Sequence, residues 1–258
     1  MRKVAILVLT ILTMLFVVSC TNEVKETSPY AAYPFTGKSQ PAMTKVSTDK
    51  QEFKGIFHFS IKYLVGDTDY WIVSLKDGGT AHAADVSVGG SKNVVDGTWS
   101  FTDGKFSLSV KDMIPEKNVQ GKIESNSLDW SSWKSNAKVK IGGYTQSVEL
   151  EKLYDDSTLS LSVEKSDLVG LWIHTDDYGK SEGFRFLDDG NVWEYGTNGS
   201  SFNYNWAKSN SENEITLSYK AEGMTAATYH FLIIGDDLYL TKTDIGLSTK
   251  PIRYTRVE

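Results

Sequence analysis

From Phe53 onward the chain alternates apolar and polar residues in short runs. YWIVSL (70–75), GTWSF (97–101), KFSLSV (105–110), GFRFL (183–187), ITLSY (215–219) and YHFLII (229–234) are of this kind. A period of two puts every second side chain on one face, which marks a half-buried strand. Between the runs stand KDGGT, TDGK, IGGY, LDDGN and IGDDL. Their Asp-Gly and Gly-rich pairs supply the positive φ angles that tight hairpins need. Helical periodicity is weak; it predicts one short turn over Lys165–Leu168, with Ser166 as its N-cap. The chain is therefore expected to be all-β.

The pattern also repeats. SLKDGGTAHAA, VVDGTWSF and KFSLSV follow one another in the first half, as RFLDDGNVWEYG, SFNYNWAK and EITLSY do in the second. Gly78 and Gly190 are 112 positions apart, Trp99 and Trp206 are 107, and Leu108 and Leu217 are 109. One offset near 110 implies an internal duplication, too long for a solenoid unit and suited to a small β domain. The halves are assigned to residues 51–156 and 160–258, with the boundary in YDDSTLS. Eight short antiparallel strands per half would close an up-and-down barrel without a free edge. The predicted architecture is two such small barrels in tandem.

The residues before the barrels read differently. Arg2 and Lys3 precede an apolar run of about 15 residues, Val4 to Val18. That is short of the roughly 20 needed for a spanning helix and fits a secretory signal over residues 1–19. The run ends in Val17-Val18-Ser19-Cys20, which resembles the bacterial lipobox. The resemblance implies cleavage before Cys20, acylation of that cysteine and a membrane-anchored lipoprotein of the bacterial cell envelope. Thr21, where Asp would signal inner-membrane retention in one bacterial group, favours the outer membrane if the cell has one. Cys20 is the sole cysteine, so no disulfide competes for it. Residues 20–50 hold three of the five prolines and no apolar periodicity, so they read as a flexible tether carrying the lipidated cysteine.

The second half opens with LVGLWIHT (168–175) and continues through FRFLDDG and GDDLYL to IRYTRV (252–257). This resembles the lipocalin-like domains of bacterial lipoproteins, within the broad calycin group. The resemblance implies a barrel whose Trp172, after Gly170, packs across one end. It also implies that an arginine of the last strand, Arg253 or Arg256, stacks on that ring, and Arg253 is the expected one. These are structural roles. The first half has Gly55 and Phe57 at the corresponding place.

Composition narrows the function. Without residues 1–19 the chain has 25 basic and 33 acidic side chains, a net charge of about −8. That argues against nucleic acid and against polybasic attachment to anionic lipid. No HExxH, G-x-S-x-G, P-loop or D-x-D-x-D-G motif is present, so neither enzyme nor metal nor cofactor is expected. His82 and His174, each near a carboxylate, are read as surface residues. The pairs at Asp155, Asp176, Asp188 and Asp236 are read as turn residues.

Aromatic residues carry what remains. Tyr195, Phe202, Tyr204 and Tyr219 fall on faces that, if turned inward, would line the second barrel with hydroxyl-bearing rings. Such rings either fill the core or wall a cavity for a small hydrophobic or amphipathic ligand. Trp130 and Trp133, in SLDWSSW, are candidates either for an exposed pair that grips a sugar or a protein partner or for a buried strand end. The expected function is a membrane-anchored binding module; the alternative is a protein-interaction or inhibitory lipoprotein with filled barrels.

Overall fold

The structure is a computed structural model that describes residues 28–35, 54–62, 68–86, 94–102, 105–110, 113, 121–125, 134–141, 144–156, 158–209, 213–221, 223–243 and 250–257. Cys20, Trp130 and Trp133 lie outside the described residues. The chain divides into two units, residues 1–32 and 33–258. The described part of the first is a single 3₁₀ turn, Pro29–Ala31, led in by Ser28.

The second unit holds two antiparallel barrel-like sheets. The first is a closed barrel of β1 (Gly55–Lys62), β2 (Thr68–Leu75), β3 (Thr80–Asp85), β4 (Val94–Thr102), β5 (Lys105–Val110), β6 (Gly121–Ser125), β7 (Lys134–Ile141) and β8 (Tyr144–Tyr154), each strand beside its sequence neighbour. A two-residue strand, β9 (Leu161–Ser162), and a short helix, α1 (Lys165–Leu168), lead into the second sheet. That sheet contains β10 (Gly170–Thr175), β11 (Ser181–Phe186), β12 (Asn191–Tyr195), β13 (Ser201–Lys208), β14 (Glu214–Tyr219), β15 (Thr225–Ile234), β16 (Asp237–Lys242) and β17 (Ile252–Arg256). Pairing of β14 with β15 and of β10 with β17 brings it round on itself. The far end of β15 pairs instead with β9.

The helical turn forms where expected, but its N-cap is Glu164 and Ser166 lies inside it. Ser162 and Asp167 bond side chain to side chain at 2.5 Å across the turn's start, so the turn begins before Ser166.

The repeat expected from spacing reappears as register. Trp99 pairs with Leu108, and Trp206 with Leu217. The Trp99 indole donates to the Lys76 carbonyl at 2.8 Å, and the Trp206 indole to the Leu187 carbonyl at 2.9 Å. Each acceptor opens the hairpin that precedes the tryptophan's strand pair. Gly79, one residue past Gly78, is the match to Gly190, at φ 81 and 85.

Each barrel has an apolar interior cluster, and a third cluster lies between them. Ile56, Ile72, Ala84 and Val86, on the outer face of β1–β3 and just beyond it, pack with Leu232, Ile234 and Tyr239 on the outer face of β15 and β16. Polar groups edge this contact. Asp237 is buried and takes Arg253 at 2.8 Å and the Thr255 hydroxyl at 2.7 Å. The Tyr154 hydroxyl of β8 donates to Asp237 and lies 2.8 Å from that of Tyr239. Burial, Tyr239 and Asp237 all hold the Tyr154 phenol far above the usual tyrosine range. Asp237 is thus no turn residue, unlike Asp176 and Asp189, whose carboxylates accept backbone N–H groups within their hairpins.

Candidate functional site

The two ends of the second barrel differ. One end is plugged. Leu168 of α1 enters the core, and the Trp172 indole donates to the Leu168 carbonyl at 2.7 Å. The Arg256 guanidinium lies 4.4 Å from the centre of the Trp172 ring and donates to the carbonyls of Val169 and Asp167. Of the two arginines weighed from the sequence, Arg256 stacks on Trp172. Arg253, the expected one, instead points to the outer face and pairs with Asp237. The reason is register: Arg256 sits directly opposite Trp172, and a residue three positions away must face the other side. Gly170 opens β10 at φ 140, a backbone angle that favours glycine.

The other end is open. A cavity there has two adjoining lobes of about 320 and 370 Å³. Both are bounded by Glu194, Gly196, Tyr229 and Lys242. Phe202, Tyr204, Leu217 and Tyr219 line the first lobe. Glu182, Phe184, Leu240, Lys250, Ile252 and Tyr254 line the second. These volumes fall at the lower end of the range for small-molecule pockets.

Alternation explains the lining. Glu182 is two residues before inward Phe184, Glu194 two after inward Val192, and Lys242 two after inward Leu240. Burial raises the pKa of Glu194 above the usual carboxylate range, opposed by the Lys242 ammonium and by a hydrogen bond from Tyr204. Burial and Glu194 push the Tyr204 phenol up to about 12. Tyr254 lies deep in the second lobe, its hydroxyl 3.4 Å from Glu182. The site thus offers apolar and aromatic walls and a small set of opposite charges. Among the described residues, no group of three or more His, Cys, Asp or Glu side chains is placed to hold a metal ion.

Phe202, Tyr204 and Tyr219 come together as expected. The Tyr204 ring is 5.6 Å from Tyr219 and 6.5 Å from Phe202. Tyr195 borders the second lobe, but its ring does not join theirs. It pairs with Gly183 on the outer face, and its ring meets Phe35 edge-on at 5.6 Å. Phe35 is 3% exposed, and the Tyr33 hydroxyl donates to the Ser181 carbonyl. A Cβ on Gly183 would sit 2.6 Å from the Phe35 ring and against the Trp172 carbonyl. The absent side chain makes the seat for Phe35. So the expected tether is not uniform: Tyr33 and Phe35 dock on the second barrel.

The sequence reading missed Glu182, Glu194 and Lys242. In NVWEY it took the aromatic residues as the inward set, whereas Val192 and Glu194 are inward. The available signal was Gly183, a residue without a side chain between Glu182 and Phe184. The other two histidines, His58 and His230, are buried.

No family model, curated protein or solved structure matches this chain.

Proposed function

We propose that this protein is a lipid-anchored binding module of the bacterial cell envelope, and that its second barrel holds a small amphipathic ligand. The observation that carries the reading is the open-end cavity, with tyrosine and apolar walls and Glu182, Glu194 and Lys242 set among them. Rings bury the apolar part of a ligand, while a few polar groups fix its orientation. The plugged end, with Trp172 under Arg256, supports entry from the open end only.

The anchor rests on Val17-Val18-Ser19-Cys20. One acyl chain binds a bilayer marginally, and two or three hold stably. Metabolic labelling with palmitate should mark the protein, and Cys20→Ala should abolish the label; unaltered labelling of that variant overturns the anchor. Ligand binding is tested by native mass spectrometry of the full chain purified gently from its own cells. The expected result is a bound small mass that disappears when Tyr204→Ala and Tyr219→Ala are combined. A ligand-free mass in the parent protein overturns it.

A further inference from the structure

Among the described residues the large apolar side chains most open to solvent are Tyr178 (89%), Met224 (56%), Phe202 (52%), Tyr219 (49%) and Ile252 (42%). All five stand at one end of one barrel. Tyr178 is in the β10–β11 hairpin and Met224 in the β14–β15 hairpin; Phe202 and Ile252 are at the starts of β13 and β17, and Tyr219 ends β14. Antiparallel pairing puts each of these positions at the open end of the second barrel. The plugged end carries none of them. Scattered single apolar residues need no explanation, but five encircling one opening form a patch that marks an interaction site.

A separate observation says what covers it. The N-terminal segment meets the barrel at the same end: the Tyr33 hydroxyl bonds to Ser181, the first residue of β11, and Phe35 packs on Gly183 and Tyr195. Only residues 21–32 separate Tyr33 from Cys20. Even fully extended, that stretch reaches on the order of 45 Å. The leash of a lipid at Cys20 is therefore attached to the barrel at the rim and not at the plugged end.

We infer that the open rim of the second barrel rests on the bilayer that holds Cys20, with Tyr178 and Met224 entering the interface and the cavity opening toward lipid. The inference depends on the anchored reading above, and it names the source of the ligand as the membrane. The attachment is apolar in kind. Lys180, Lys242 and Lys250 share this end with Asp176, Asp177 and Glu182, so no single sign of charge dominates the rim, and the chain is acidic overall. Contact with an uncharged lipid surface therefore suffices, and salt should weaken it little.

The test uses the full chain reconstituted in phosphatidylcholine vesicles. A fluorophore is placed on Tyr178→Cys, or on Asp188→Cys in the exposed hairpin at the plugged end, and nitroxide-bearing lipid serves as quencher. Both substitutions fall at exposed positions that do not line the cavity. The expected result is flotation of both variants with the vesicles and at least threefold stronger quenching of the label at 178. If both float and the two labels are quenched alike, the anchor stands and the rim contact is overturned. If neither floats, the anchored reading fails and the inference fails with it. If the label at 178 is shielded by a second protein molecule and not by lipid, the rim is a protein interface and the inference is again overturned.

Discussion

The two barrels share a frame and diverge at one end. Counting along the paired registers from Gly55 and Gly170, Phe57 corresponds to Trp172, Leu75 to Phe186, Ala81 to Val192, Trp99 to Trp206 and Leu108 to Leu217. All these face the plugged half. Lys152 lies opposite Phe57, 5.8 Å from its ring, where the second barrel sets Arg256 on Trp172. Toward the other end the same counting sets Phe59 against His174, Trp71 against Glu182 and Ala83 against Glu194. It also sets Val95 against Phe202, Gly97 against Tyr204 and Val110 against Tyr219. Phe59, Trp71, Ala83 and Val110 are fully buried members of the first core. Their counterparts are polar or hydroxyl-bearing, and three of them, Glu182, Glu194 and Tyr219, line the cavity. The plugged half is the part a barrel needs to close and fill. The open half is where one frame carries a different interior, and the candidate site lies there.

The strongest way to break this comparison is at the plugged ends. Trp172→Ala should cost about 3–5 kcal/mol, read from denaturant unfolding, because Trp172 is fully buried beneath Arg256. Phe57→Ala should cost a similar amount if the ends are equivalent; a loss below about 1 kcal/mol would show that they are not.

Next in size is a pH effect confined to the first barrel's outer face. His58 is buried, stacks on Tyr70 at 5.5 Å, and has its pKa lowered to about 4, by burial first and then by Lys250. The unfolded chain binds this proton near pH 6.5 and the folded chain does not. Stability is therefore complete above pH 6.5 and falls as the pH drops toward 4, by up to about 3 kcal/mol. His58→Phe should flatten that slope in unfolding measured between pH 7 and pH 4.5; an unchanged slope assigns it to other groups.

Gly183→Ala should come third, at about 1–3 kcal/mol by overpacking. It should also free the N-terminal segment, so that limited proteolysis cuts near Phe35 faster than in the parent. Equal cleavage rates would mean that Phe35 does not need the glycine.

The smallest expected effect on stability sharpens the comparison most. Glu194→Ala makes the second barrel like the first at this position. It removes a carboxylate that burial penalises, so the unfolding free energy should change by less than about 1 kcal/mol. Ligand retention in native mass spectrometry should nevertheless fall at least tenfold. A large loss of stability with ligand retained would make Glu194 a structural residue.

The sequence by itself determined the strands, their hairpins and the pairing of two barrels. These follow from a period of two and from Asp-Gly turns, both local properties of the backbone. It also brought Phe202, Tyr204 and Tyr219 together, because residues two apart on one strand share a face and β13 lies beside β14. Alternation says which residues share a face and never which face is inside. For NVWEY only the tertiary structure decided, through Gly183 and the Phe35 that fills its place. The same holds for the last strand. Arg253 and Arg256 lie on opposite faces by spacing, but the opposition of Arg256 to Trp172 came from closing the sheet. Asp237 looked like a turn residue until the contact between the barrels buried it. Burial, register and docking depend on residues far apart in the chain, and these set the chemistry of the cavity.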